Sequence, residues 1–243
     1  MNLQKTTSIH PDSTTVGEVV AQNYHAADVF RQYGLDFCCG GGITLREACE
    51  KKKLDADEIL NELLNIPWEQ SAGEENYLAW EPDYLIDHII RTHHEFVRSK
   101  TEEIGMYAAK VARVHGKRHP ENVEIYKLFA HLSEELLEHL EAEEKTVFPL
   151  ILEVYKKRMS GKPVEKGLLV ILQKQLDLMV DDHEGAGSAI ERIRELSHHF
   201  TPPEDACTTY RILYRNLAGF EEDLHKHVHL ENNILFKKAE KLV

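Results

Sequence analysis

The sequence predicts an all-α fold: an antiparallel four-helix bundle preceded by a small helical domain that carries cysteines. Three observations lead there. Apolar residues recur at helical spacing in four long segments of the second part of the chain. Those segments are separated by short polar breaks at 115–122 (HGKRHPEN), 160–163 (SGKP) and 198–205 (HHFTPPED), and four helices with short connections default to antiparallel neighbours. A motif, His-x3-Glu with a Phe five residues beyond the Glu, occurs twice, as His139/Glu143/Phe148 and His227/Glu231/Phe236.

Residues 1–14 are polar and are expected to fray. From Thr15, the residues Val16, Val19, Val20, Ala27, Phe30 and Tyr33 follow helical spacing up to Gly34, a natural C-cap. The segment LDFCCGGG follows at 35–42. One helix is then predicted over about 44–52, and another opens on an Asp55-x-x-Glu58 capping pattern and runs to Asn65. Residues 1–66 thus read as a small three-helix domain whose core alone would be thin. Residues 67–82, PWEQSAGEENYLAWEP, lack periodicity and read as a linker. The bundle takes 83–243. Pro149 lies inside its second helix and should kink it near 145–149. Thr201, before Pro202-Pro203, reads as the N-cap of the fourth.

The composition sets bounds. The chain has 243 residues, 42% hydrophobic and 29% charged, enough for a core and a solvated surface. A formal net charge of −13 argues against nucleic-acid or anionic-membrane partners, which need clustered Lys and Arg. No apolar run approaches the ~18 residues of a membrane span, and the N-terminus has no signal-like apolar stretch. Four cysteines make no disulfide framework. These readings place the protein in the cytoplasm.

The bundle repeats internally. His94 on its first helix precedes His139 by 45 residues, and His183 on its third precedes His227 by 44. Each half is a hairpin with a His on one helix and His-x3-Glu on the next, so two halves face to face would point four imidazoles and two carboxylates at one axis. Residues four apart share a helical face. Two bridging glutamates and four histidines would give each of two ions four protein ligands, and a solvent-derived bridge a fifth. Such mixed ligation suits iron or manganese better than calcium or structural zinc. A single His-x3-Glu is usually surface decoration; His131/Glu135 has the same spacing, and His225/His229 is another pair four apart. The choice of His94 over His93 or His88 rests on the repeat. Glu95, Asp182 and Glu184 are candidate acceptors for imidazole N–H groups, or simply solvated charges.

Cys38 and Cys39 are adjacent, between Phe37 and Gly40-Gly41-Gly42. Adjacent cysteines rarely bridge each other, and the count excludes a zinc ribbon. The glycines permit close approach of another surface or a metal. If the segment caps a helix near Thr44, the helix dipole would lower the thiol pKa; otherwise the pair is two small buried residues in a turn. Cys49 and Cys207 read as packing residues.

DFCCGGG followed by HHEF at 93–96, EHLEAEEKTVFP at 138–149, DDHEGAG at 181–187, PPEDACTTY at 202–210 and HVHLENNILF at 227–236 resembles the repair-of-iron-centres family, also known by the names ScdA and YtfE. The resemblance covers nearly the whole chain. It implies a ScdA-type domain over 1–66 and a hemerythrin-like bundle with two non-haem, oxo-bridged iron ions. The implied iron ligands are His94, His139, His183 and His227, with Glu143 and Glu231 as bridging carboxylates, and Cys38 and Cys39 as transfer or docking thiols. It implies a stress-response protein, monomer or homodimer, that supplies or handles iron for iron-sulfur proteins damaged by nitric oxide or oxidants. The alternatives are nitric oxide reduction, for which the chain shows no flavin or nucleotide motif, and a module that binds nitric oxide or O2.

Overall fold

In a computed structural model that describes residues 9–68 and 75–242, the regular elements among those residues are helical. Extended pairing is limited to an isolated bridge between Thr15 and Thr44. The chain forms two compact units, Met1–Glu81 with Val228–Lys237, and Pro82–His227 with Lys238–Val243.

Residues 9–68 form four short helices where three were expected. The stretch from Thr15 to Gly34 is broken into α1 (Val16–Gln22) and α2 (Ala26–Gln32). Asn23 sits at φ −154°, its Oδ1 accepts from the His25 amide at 3.0 Å, and its Nδ2 donates to the Pro67 carbonyl at 2.7 Å. The first of these bonds takes the His25 amide out of the helical pattern. Helix α1 starts at a capping box between Thr15 and Glu18, and α3 (Leu45–Lys52) at one between Thr44 and Glu47. Asp55 accepts from the Asp57 and Glu58 amides and starts α4 (Ala56–Asn65). Gly34, at φ +64°, ends α2 in the left-handed conformation glycine adopts most cheaply. Val16, Val19, Phe30, Phe37, Leu45, Cys49, Ile59 and Leu63 form the core. Of the segment read as a linker, 69–74 lie outside the described residues, and Tyr77–Ala79 form a 3-10 turn.

Among the described residues, the bundle is built on four long helices, three of them interrupted by a π-turn. The first joins α5 (Pro82–Ile89), a π-turn at Ile90–His94 and α6 (Glu95–His115). The second joins α7 (Glu121–Ala142), a π-turn at Glu143–Val147 and α8 (Phe148–Met159). Helix α9 (Lys166–Leu196) is uninterrupted. The fourth runs through α10 (Thr208–Leu230), a π-turn at Glu231–Leu235 and α11 (Phe236–Glu240). A π-turn absorbs one extra residue without extra rotation. At about 100° per residue, Phe148 would otherwise lie roughly 140° from Glu143. With the extra residue absorbed it lies about 40° away, and it is buried. The Glu-to-Phe offset of five is the π hydrogen bond itself: the Phe148 amide donates to the Glu143 carbonyl, and the Phe236 amide to that of Glu231.

Two expectations change here. The strain expected at Pro149 is taken up by the π-turn that ends just before it, which leaves the proline in the first turn of α8, where its missing N–H costs least. Thr201 caps no helix. His198, His199 and Phe200 all have φ between 50° and 57° and turn the chain out of α9, and α10 starts only at Thr208. Asp205 holds the intervening loop to the first hairpin through Arg118 Nη1 and His119 Nε2, both at 3.0 Å.

Candidate metal centre

The helices converge around Glu143. His139 and Glu143 are one turn apart on one face of the second helix, and both are buried. The Glu143 carboxylate lies between two imidazoles: Oε2 is 3.4 Å from His94 Nε2, and Oε1 is 3.4 Å from His139 Nε2. His183, from α9, meets His139 with their Nε2 atoms 2.9 Å apart. His227 packs edge-on against His94, ring centroids 4.9 Å apart. Glu231 follows His227 by one turn and is buried. Two overlapping donor groups result, His94, Glu143, His227 and Glu231 in one, and His139, Glu143, His183 and Glu231 in the other; within each, the donor atoms lie within 4.8 Å of one another. All six residues singled out by motif and repeat therefore fall in these groups.

The outward nitrogens are also engaged. His94 Nδ1 is 2.7 Å from Glu144 Oε1, which in turn accepts from Arg98 Nη1 at 2.9 Å. His139 Nδ1 is 3.2 Å from Asp182 Oδ2. A carboxylate on Nδ1 fixes the ring orientation and leaves Nε2 as the electron-pair donor. Burial pushes the Glu144 carboxyl up, but bonds from Arg98 and His94 outweigh it and hold the group below its ordinary value. Phe148 stacks on His94 at 5.6 Å between centroids.

The donor chemistry fits a cation centre. Imidazole nitrogens and carboxylate oxygens converge in the buried interior, and one carboxylate offers a separate oxygen to each of two histidines. That combination suits iron or manganese rather than an all-oxygen calcium site or a thiolate zinc site.

Of the candidate acceptors, Asp182 takes the role, while Glu95 and Glu184 are exposed. Glu144 was missed by sequence reasoning, although it directly follows Glu143 in the repeated motif. His93 is buried as well, but it turns to Asp223, Nδ1 to Oδ1 2.9 Å, and stacks on His227 at 5.6 Å with 3° between the planes. His131 and Glu135 form an exposed surface pair at 3.3 Å. His229 is buried in the first unit, with Nδ1 3.2 Å from Asn233 Nδ2.

The cysteines differ from expectation in two respects. Thr44 does cap α3, yet the Cys38 thiol is pushed well above its ordinary value, by its contact with Cys39, by burial and by Asp36. Cys49 is a buried packing residue, but Cys207 is exposed, with its Sγ 3.2 Å from His115 Nε2.

Residues 12–66 match a family described as ScdA_N, a domain of unknown function. Residues 85–239 match the hemerythrin HHE cation-binding domain. Similar proteins include the iron-sulfur cluster repair protein ScdA of Staphylococcus haemolyticus, 35% identical over 93% of this chain and 98% of the relative. The iron-sulfur cluster repair protein YtfE of an Enterobacter species is 34% identical, over 92% of this chain and 95% of its own. A probable iron-sulfur cluster repair protein of Haemophilus influenzae is 35% identical, over 88% and 91% respectively.

Proposed function

The chain belongs to the family of iron-sulfur cluster repair proteins built on a hemerythrin cation-binding domain, and on that premise we propose that it holds two iron ions and handles iron for damaged iron-sulfur proteins. The observation that carries this reading is the Glu143 carboxylate, with one oxygen toward His94 and the other toward His139. That placement is what a bridge between two cations requires. In the proposed centre His94, His139, His183 and His227 would hold the ions together with Glu143 and Glu231. Bound iron would supply an exchangeable metal and an open coordination position.

The rest is the work of the chain's own residues. Glu144 and Asp182 keep His94 and His139 oriented with Nε2 inward, which lowers the reorganisation needed when a cation arrives or leaves. Phe148 and the buried helix faces keep bulk water from the carboxylates, so binding strength is set by protein donors. The alternative of nitric oxide reduction has no observation of its own in support. No described helix is long and apolar enough to cross a membrane.

Metal analysis with an absorption spectrum on protein purified without air tests the proposal, with wild type beside His139→Ala and Glu231→Ala. About two irons per wild-type chain are expected from the ligand count, and both variants should lose them. Zinc or no metal in the wild type would overturn it. So would undiminished repair of a damaged cluster protein by a Glu143→Ala variant.

A further inference from the structure

The segment Asp36–Gly42, in the first unit, is organised around one carboxylate. Asp36 Oδ1 accepts from the Cys38 and Cys39 amides, both at 3.0 Å, and Oδ2 accepts from the Gly40 amide at 2.8 Å. In an extended chain, successive side chains point to opposite sides. Curling the backbone around Asp36 brings Cys38 and Cys39 together instead, with their Sγ atoms 3.7 Å apart and Cys38 Sγ 3.3 Å from Asp36 Oδ1. The three side chains form a group whose donor atoms lie within 4.8 Å of one another.

The curl is fixed from behind. The Gly17 amide donates to the Gly41 carbonyl at 2.8 Å, and Asn233 Nδ2 donates to the Phe37 and Cys38 carbonyls, both at 3.2 Å. A Cβ on Gly41 would stand 2.4 Å from the Phe37 carbonyl oxygen and 3.1 Å from Gly17 Cα, so this close approach needs glycine. The backbone therefore presents both thiols before any ligand arrives.

The sulfur separation is informative. A disulfide needs about 2.05 Å, far shorter than the 3.7 Å here. An ion bound tetrahedrally to thiolates at about 2.3 Å sets two of them roughly 3.8 Å apart. Cys38 is buried and Cys39 half-buried, so one face of the group stays open. Hard cations such as magnesium and calcium avoid sulfur, whereas iron(II), cobalt(II) and zinc(II) accept it.

We propose that Asp36, Cys38 and Cys39 form a second, mononuclear cation site, separate from the bundle donors, that takes a thiophilic divalent ion and leaves a coordination position free for an incoming ligand. The reading of the chain as an iron-handling protein supplies the identity of the ion, iron(II), and nothing else in the argument rests on it. Binding converts two thiols to thiolates and releases two protons. Because two protons must leave for the ion to bind, binding weakens as the pH falls.

Cobalt(II) titration of the reduced, full-length, metal-free chain under anaerobic conditions is the test, since thiolate-to-cobalt charge transfer gives a near-ultraviolet band that imidazole and carboxylate ligands cannot produce. One equivalent of that band per chain is expected. It should vanish in Cys38→Ser/Cys39→Ser, weaken in Asp36→Asn, and persist in Cys207→Ala. It should also persist in Glu143→Ala/Glu231→Ala, so a failure of the bundle reading leaves this site standing and the reverse. Unchanged far-ultraviolet circular dichroism shows that the serine variant is folded. Absence of the band in the wild type, or its survival in the double serine variant, overturns the proposal, and iron(II) then replaces cobalt only if the band is found.

Discussion

Deleting Thr92 should leave the bundle folded, whereas deleting Glu102 from the same helix should unfold it. Thr92 is an exposed residue of the first π-turn, in which the Glu95 amide bonds to the Ile90 carbonyl. Removing one residue there converts that bond to an ordinary α-helical one. With the extra residue absorbed, Leu85, Ile89, Val97, Ile104, Ala108 and Val111 fall within about 60° of one another around the helix, and all six are buried. The Thr92 deletion keeps that alignment and turns none of these buried side chains toward solvent. The Glu102 deletion turns Ile104, Ala108 and Val111, each no more than 1% exposed, by about 100° from the residues before them. Exposing the two larger side chains alone costs about 3–6 kcal/mol, comparable with the whole stability of an ordinary domain. Amide hydrogen exchange of peptides covering 97–111, on metal-free protein so that no ligand masks the loss, reads the outcome. Equal loss of protection in the two deletions would refute the claim that the π-turn serves to align the buried faces.

Three further outcomes are expected. Glu144→Ala should weaken metal binding by about 10–100-fold, the usual effect of removing a ligand's orienting partner, while His93→Asn should leave metal content at the wild-type level; competition with a chelator measures both. Gly41→Ala should displace the Phe37 carbonyl and its neighbours, and free the Cys38 thiol, so that alkylation at Cys38 becomes faster than in wild type by mass spectrometry. The Tyr33 hydroxyl donates to Glu62 Oε1 at 2.5 Å, which pushes its pKa from 10.0 to about 12. A raised folded-state value means that this contribution to stability is complete below the unfolded value and is lost as pH rises through the folded one. Denaturation of wild type should therefore ease between about pH 10 and 12, and Tyr33→Phe should reduce that dependence.

Much of this was legible because periodicity and spacing are local. The repeated His-x3-Glu puts an imidazole and a carboxylate on one face of any helix, and the matched hairpin spacing pairs the helices. Asp55 caps its helix through bonds to residues two and three positions on, so its pattern sufficed. The rest depended on distant groups. Asn23 breaks a helix whose apolar spacing continues past it, because its amide bonds to Pro67, 44 residues away. The start of α10 is delayed by a loop that Arg118 and His119 hold through Asp205, 87 and 86 residues away respectively. The π-turns lie between these cases. The offset of five from Glu to Phe was visible twice, but its meaning required knowing that both residues are buried.

The last π-turn has three consecutive residues that divide two duties between them. Glu231 is a donor of the bundle groups, and the side-chain amides of Asn232 and Asn233 donate to the Cys38 carbonyl at 3.4 and 3.2 Å. A single turn of backbone thus presents a carboxylate and grips the cysteine loop. A substitution made in this turn to study the carboxylate therefore also disturbs the amides that hold the Cys38 carbonyl, and the two effects have to be measured apart.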